Sequence, residues 1–105
     1  MRKSDKKIDN TIRDALTALC EIALDEIEGF KWITHLVDYK NFPESLAIIC
    51  VFETDKNLLT AQQLNKDQFL LQLIQQELAS YDINIKNIDR VVRFHTEANM
   101  NARFH

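Results

Sequence analysis

Two histidines and their polar neighbours are the side chains best suited to acid–base or metal chemistry in this chain. His35 precedes Asp38, and a histidine held by a carboxylate is a common general base. On a strand, however, residues three apart point to opposite faces, so these two side chains cannot meet. His95 approaches His35 only if their strands pair, and Cys50 would then complete a notional metal site. No Cys-x-x-Cys, His-x-x-x-His or helical His-Glu spacing supports that site, so we predict no metal and no cofactor.

Candidates for nucleophilic catalysis and for phosphate binding are also lacking. Cys20 falls beside the apolar stripe of a predicted helix, and Cys50 falls within a predicted buried strand, where a thiol is expected to be inert. The single glycine, Gly29, is expected to end that helix in the left-handed conformation, and one glycine cannot build a glycine-rich phosphate loop. With no catalytic residue set identified, the sequence favours a protein without enzymatic activity.

Two predicted strands, 30–39 and 45–54, are apolar on both faces, whereas a strand with one wet face alternates apolar and polar residues. Trp32 and Leu36 point one way, while Ile33 and Val37 point the other. A chain of 105 residues has few elements with which to cover both faces. We therefore expect a partner, most simply a second copy, to supply the missing layer. The candidate interface residues are Trp32, Ile33, Val37, Phe42, Ile49 and Val51.

Hydrophobic spacing places the first helix and joins the two strands. Apolar residues at three- and four-residue intervals predict a helix over 5–28. The loop 39–44 contains Pro43, which cannot donate to a strand ladder and therefore breaks the extended chain. Because this connection is short, the two strands are predicted to form an antiparallel hairpin.

The second half predicts two helices and a third strand. Thr54 or Asp55 caps a short helical turn, and Asn65 with Gln68 forms a capping box for a helix over 65–80. A third strand is predicted over 88–95, followed by a polar tail over 96–105. The expected fold is one α+β domain, 1–95. It is a two-layer sandwich in the order α-β-β-α-α-β, with helices packed on a small three-stranded sheet.

The overall charge argues against general attraction to nucleic acid, but the basic residues are unevenly placed. The chain has 13 Lys and Arg against 16 Asp and Glu, a net charge of −3. The first helix runs from a basic start to an acidic end, the reverse of what the helix dipole favours. This layout has two interpretations. Either the two charged ends form a surface that a second molecule recognises, or the basic start is a solvated arm, and salt screens its unfavourable interaction with the helix dipole. The candidates for a local nucleic-acid patch are Arg2, Lys3, Lys6, Lys7, Arg90 and Arg93.

Composition and hydropathy indicate a globular protein of the cytoplasm. Hydrophobic residues make up 46% of the chain and charged residues 28%. No run approaches the roughly 18 apolar residues that a membrane span needs, so we expect no membrane association. The charged start predicts no secretory leader, and two separated thiols are typical of a reducing compartment.

Several short motifs in the first half carry a resemblance to known sequences. They are Arg2-Lys3, Asp9-Asn10, Cys20-Glu21, Gly29-Phe30, Trp32, Thr34-His35, Val37-Asp38-Tyr39, Asn41-Phe42-Pro43, Ser45-Leu46 and Cys50-Val51-Phe52. In these the chain resembles small proteins of unknown role from gamma-proteobacteria, some labelled Fis family transcriptional regulators. The resemblance implies a bacterial cytoplasmic protein. Fis regulators end in a basic recognition helix, whereas the last patterned element here is a strand, so no binding residue is carried over.

The predicted element order also resembles the type II KH-like arrangement. KH domains bind nucleic acid with a Gly-x-x-Gly loop between two helices, and here that link reads Gln62-Gln63-Leu64-Asn65.

The sequence as a whole leads to three hypotheses about function. The first is a non-enzymatic module that forms a homodimer or docks on another protein. The second is a nucleic-acid-associated regulator that uses the basic residues, and the third is a small-molecule binder with a pocket around Trp32, His35 and Cys50.

Overall fold

A computed structural model of the chain describes residues 3–42 and 44–97, with the side chains of all of these except 3–5 and 39. The elements confirm the α+β class and the order α-β-β-α-α-β. In chain order they are α1 (Lys3–Glu26), β1 (Phe30–Leu36), a 3-10 turn (Tyr39–Asn41), β2 (Ala47–Phe52), α2 (Asp55–Gln63), α3 (Lys66–Ser80), the single turn α4 (Ile88–Val91) and β3 (Val92–Thr96). Arg2, Pro43 and residues 98–105 lie outside the described part of the chain, and the Lys3 side chain is not described.

The long helix α1 forms because its apolar residues fall on one face. Ile12, Leu19 and Ala23 are fully buried against the other elements. The helix ends at Glu26, two residues earlier than the spacing predicts. The chain then turns through Gly29, which has a φ of 83° and confirms the predicted left-handed glycine. This turn leads directly into β1.

The sheet has three strands in the order β1-β2-β3, with β2 in the centre. β1 and β2 form the predicted antiparallel hairpin, from Phe30 opposite Phe52 to Leu36 opposite Ala47, with a bulge just after Phe30. β3 pairs parallel with β2. β1 ends at Leu36, earlier than predicted, and Asp38 then begins the 3-10 turn, where its carboxylate accepts a hydrogen bond from the Lys40 amide at 3.0 Å. β2 is also shorter than predicted, since it starts at Ala47 and ends at Phe52, just before Thr54 caps α2.

The helices α2 and α3, which follow β2, begin in different ways. Thr54 caps α2 as predicted, since its hydroxyl accepts a hydrogen bond from the Asn57 amide at 3.1 Å. The predicted capping box at Asn65 is wrong: Asn65 has a φ of 60° and makes no side-chain capping bond. Only Leu64 and Asn65 separate the helices, so the chain must reverse direction within two residues. Asn65 permits this because asparagine tolerates the left-handed region.

The third strand begins later than predicted. Residues 88–91 form the turn α4, in which the Arg90 amide donates to the Asn87 carbonyl at 3.0 Å, and β3 starts only at Val92. This short stretch has apolar residues only at its two ends, Ile88 and Val91, so its pattern suits a helical turn as well as a strand, and packing decides between them. Thr96, assigned by the sequence to the polar tail, is the last residue of β3. It is fully buried and donates a hydrogen bond to the Asp55 carboxylate at 2.8 Å.

The hydrophobic core lies between the helices and one face of the sheet. Its centre is Phe52, which meets the Phe30 ring edge-on with centroids 5.8 Å apart and the Phe94 ring at 6.4 Å. Ile74 and Leu78 of α3 close the core from the helix layer. Within residues 3–42 and 44–97, no helix has both the length and the apolar character to cross a membrane.

Candidate functional site

The two faces of the sheet have different surroundings. On β2, the row Ile48, Cys50 and Phe52 belongs to the core that the helices cover. Among the described residues, that core contains no side chain from the opposite face. We call this opposite face the open face. By strand register it comprises Trp32, Thr34 and Leu36 of β1, Ala47, Ile49 and Val51 of β2, and Arg93 and His95 of β3.

The structure divides the six predicted interface residues between the two faces. Trp32, Ile49 and Val51 lie together on the open face. Ile33, Val37 and Phe42 instead pack against the core on the helix side. Val51 is fully buried although it is outside the core, because it sits on the central strand with Trp32 and His95 beside it in register.

An open groove runs between α1 and the outer edge of β1, and we call it the α1–β1 groove. Its volume is about 740 Å³. Three of its side chains are large, apolar and exposed: Leu24 is 54% exposed, Trp32 36% and Leu36 61%. Trp32 and Leu36 also belong to the open face, so the groove and that face are continuous. The lining residues are Asp9, Arg13, Leu16, Thr17, Cys20, Glu21, Leu24, Trp32, Ile33, Thr34, His35, Leu36 and Val37.

A polar cluster at one end of the groove joins α1 to β1. Asp9 Oδ1 lies 3.0 Å from His35 Nε2, and Asp9 Oδ2 lies 3.1 Å from Arg13 Nε. The Asp9 and His35 side chains are 16% and 11% exposed, whereas that of Arg13 is 70% exposed. The aspartate and the histidine are therefore mostly shielded from water, whereas the arginine side chain extends largely into solvent.

Sequence reasoning missed this cluster, because the aspartate and the histidine are 26 residues apart on different elements. A signal was nevertheless present. Asp9 falls on the buried side of α1, in helical register with Ile12 and Leu16, and His35 falls on the helix-facing row of β1. Two polar residues at positions where the pattern calls for apolar ones are expected to satisfy each other.

The thiols are unsuited to nucleophilic chemistry. Burial, and then the neighbouring Cys20, raises the pKa of Cys50 to about 12. Burial, and then Glu21, also raises the pKa of Cys20. Because Asp9 and Cys20 are eleven residues apart on one helix, they are separated by about 16 Å along its axis. His35 is bound to Asp9, so it does not act as a base for Cys20.

The notional metal site is not assembled. β2 separates β1 from β3, and His35 and His95 lie on opposite faces of the sheet. No group of three or more histidine, cysteine, aspartate or glutamate residues within 3–42 and 44–97 has the geometry to hold a metal ion. The third hypothesis placed its pocket around Trp32, His35 and Cys50. The groove has the first two, but its thiol is Cys20.

The predicted basic residues lie on three elements. Lys6 and Lys7 are exposed near the start of α1, Arg90 is exposed on α4, and Arg93 is exposed on the open face. α1 contacts the sheet through β1, whereas Arg93 lies on the strand at the other edge. Comparison of the chain with protein-family models, with curated proteins and with solved structures found no match.

Proposed function

We propose that this chain is a non-enzymatic protein-interaction module that self-associates through the outer edge of β1 and the α1–β1 groove. The observation that carries the proposal is the outer edge itself. Natural proteins protect exposed sheet edges with charged residues, prolines or a covering segment. After the bulge that follows Phe30, β1 continues from Trp32 to Leu36 without a lysine, an acidic residue or a proline.

The distribution of exposed apolar side chains supports the same surface. Leu24, Trp32 and Leu36 come from two elements and converge on one groove. Several exposed apolar side chains that share one groove are typical of an interaction surface, whereas isolated exposed leucines are normal. A second copy presents the same unpaired strand edge and the same apolar side chains, so pairing shields both copies at once.

The state of the polar groups supports a binding role rather than catalysis. Both thiols have raised pKa values and stay protonated near neutral pH. The His35 ring is held by Asp9 rather than presented to a nucleophile. The described groove therefore offers apolar contact area and charged ends, the composition of a protein-binding surface.

Light scattering coupled to size-exclusion chromatography tests the proposal. We expect a species of twice the 12.3 kDa chain mass at high concentration, dissociating on dilution. Leu36→Glu should shift the equilibrium strongly to the monomer. The matched control is Leu59→Glu on α2, because Leu59 is 55% exposed and does not line the groove. A wild-type chain that stays monomeric up to high micromolar concentration would refute self-association. Equal effects of the two variants would refute the proposed surface.

A second candidate function is small-molecule binding in the same groove. Its volume of about 740 Å³ falls within the roughly 300–1,000 Å³ typical of ligand pockets. Trp32 and His35 provide an aromatic surface and a polar group at its wall. A thermal-shift screen of metabolites distinguishes the two functions. Ligand binding predicts stabilisation that Trp32→Ala removes in a chain that stays monomeric, and a flat response argues against it.

A further inference from the structure

The side of α1 that lines the groove carries opposite charges at its two ends. Toward the start of the helix Arg13 is the exposed charge, since its partner Asp9 is only 16% exposed, and Glu21 and Leu24 lie toward the end. Arg13 and Glu21 are eight residues apart, about 12 Å along the axis and on the same side of the helix. Between them are Thr17 and Cys20, whose small side chains permit close approach of a neighbouring helix.

The exposed charges beyond this stretch extend the same polarity. Lys6 and Lys7 precede it, and Asp25 and Glu26 follow it. A helix that is basic at its start and acidic at its end complements a second copy of itself in the antiparallel direction. In the parallel direction like charges would face each other. The helix dipoles also attract when the helices are antiparallel.

The placement of α1 over β1 makes helix pairing and strand pairing compatible. The hydrogen bond between Asp9 and His35 fixes one end of the helix against the strand, and the short turn between α1 and β1 fixes the other. Along α1, Thr17 lies slightly less than half-way from Asp9 to the end of the helix at Glu26. Along β1, the middle residue is Ile33. A two-fold axis that lies beside Ile33, between the two β1 strands, therefore also passes close to Thr17.

From these observations we infer that the partner is a second copy related by a two-fold axis near Ile33 and Thr17. The two β1 strands pair antiparallel into one continuous sheet, and Arg13 binds Glu21 of the partner subunit, twice per dimer. The Arg13 guanidinium has five N–H donors, of which the Nε donor faces Asp9, so its fork is available for a second carboxylate. This inference rests on the proposed self-association and specifies its geometry.

A charge-exchange experiment tests the two-fold arrangement. Arg13→Glu alone and Glu21→Arg alone each place like charges together twice per dimer. Each should weaken dimerisation about tenfold or more, since exposed pairs are worth up to about 1 kcal/mol each. An equimolar mixture of the two variants should restore dimers, because both contacts in the mixed dimer are then attractive. The double variant should also dimerise. Raised salt should weaken the wild-type dimer and strengthen the single-variant dimers.

Matched controls separate this effect from a general effect of charge. Asp14→Arg makes the same charge change on α1 but outside the groove lining, and Lys56→Glu matches Arg13→Glu on α2. Neither should produce partner-specific rescue, and circular dichroism should show every variant folded. If the wild type is monomeric, the proposed function fails. If it is dimeric but mixing the single variants restores nothing, the dimer stands and the two-fold Arg13–Glu21 geometry is overturned.

Discussion

Asp9 binds the shielded side chain of His35 and the exposed side chain of Arg13. Substitution of Asp9 tests which of these two contacts contributes more to the free energy of unfolding. In Asp9→Ala, His35 loses its hydrogen-bond acceptor at a position where its side chain is only 11% exposed. Leaving a shielded polar group without a partner costs about 1–3 kcal/mol, and more where a charge is involved. We therefore expect Asp9→Ala to lower the free energy of unfolding by about 2 kcal/mol.

Removal of Arg13 should have a much smaller effect. Its side chain is 70% exposed, and its bond to Asp9 is an i,i+4 helix pair. Such pairs contribute about 0.3–0.5 kcal/mol. Asp9→Ala should therefore lower the free energy of unfolding roughly four times as much as Arg13→Ala, or more. Asp14→Ala is the matched control, because Asp14 is an exposed aspartate on the same helix, and its removal should have almost no effect.

The assay is urea unfolding followed by the fluorescence of the single tryptophan, at a concentration where the chain is monomeric. A double-mutant cycle of Asp9→Ala with His35→Ala should give a coupling free energy of about 1–2 kcal/mol. A coupling near zero, or a cost of Arg13→Ala equal to that of Asp9→Ala, would refute the argument that burial sets the energy of this cluster.

Two further predictions concern the core thiol and the turn after α1. Burial raises the pKa of Cys50 from 9.0 to about 12. The contribution of the protonated thiol to stability is therefore complete below pH 9. It is lost as the pH rises toward 12, because the unfolded chain releases this proton first. The wild type should therefore lose stability faster than Cys50→Ala between pH 8 and about 10.5 in urea unfolding; parallel curves would contradict this. Gly29→Ala puts a side chain at φ 83° and against Asn57, and should cost about 2 kcal/mol or more. In an Asn57→Gly background the cost should fall to the backbone contribution of about 1 kcal/mol, and an unchanged cost would argue against the clash.

The sequence predicted the class and element order because those depend on local patterns. Apolar spacing identifies α1, Gly29 identifies its end, and Thr54 identifies the start of α2. The errors arise where tertiary packing overrides local preference. Asn65 has the residue type of an N-cap, but the two-residue link needs a left-handed residue there more than it needs a capping bond. The run after Asn87 suits two conformations, and packing selects the helical turn.

The candidate site was predictable only in part. Alternation along β1 separated Trp32 and Leu36 from Ile33 and Val37, and the structure confirms that separation. It could not say which row faces the helices, because both rows are apolar and the choice depends on how α1 and α3 pack. The groove depends in turn on the position of α1 over the edge strand, which only the fold determines.

The charge order of α1 gives a physical reason to favour the two-fold arrangement over an isolated molecule. In a monomer, a basic start and an acidic end oppose the helix dipole, at about 0.3–1 kcal/mol for each well-placed charge. Salt screening reduces that cost but provides no benefit in return. An antiparallel partner reverses the balance, because each acidic end then meets a basic start and each dipole meets its opposite. Glu21, at which the acidic end of α1 begins, lines the same groove as the exposed Leu24. The charge order of α1 and the burial of the exposed apolar side chains in the groove therefore both favour an antiparallel second copy. Neither effect would specify that orientation alone.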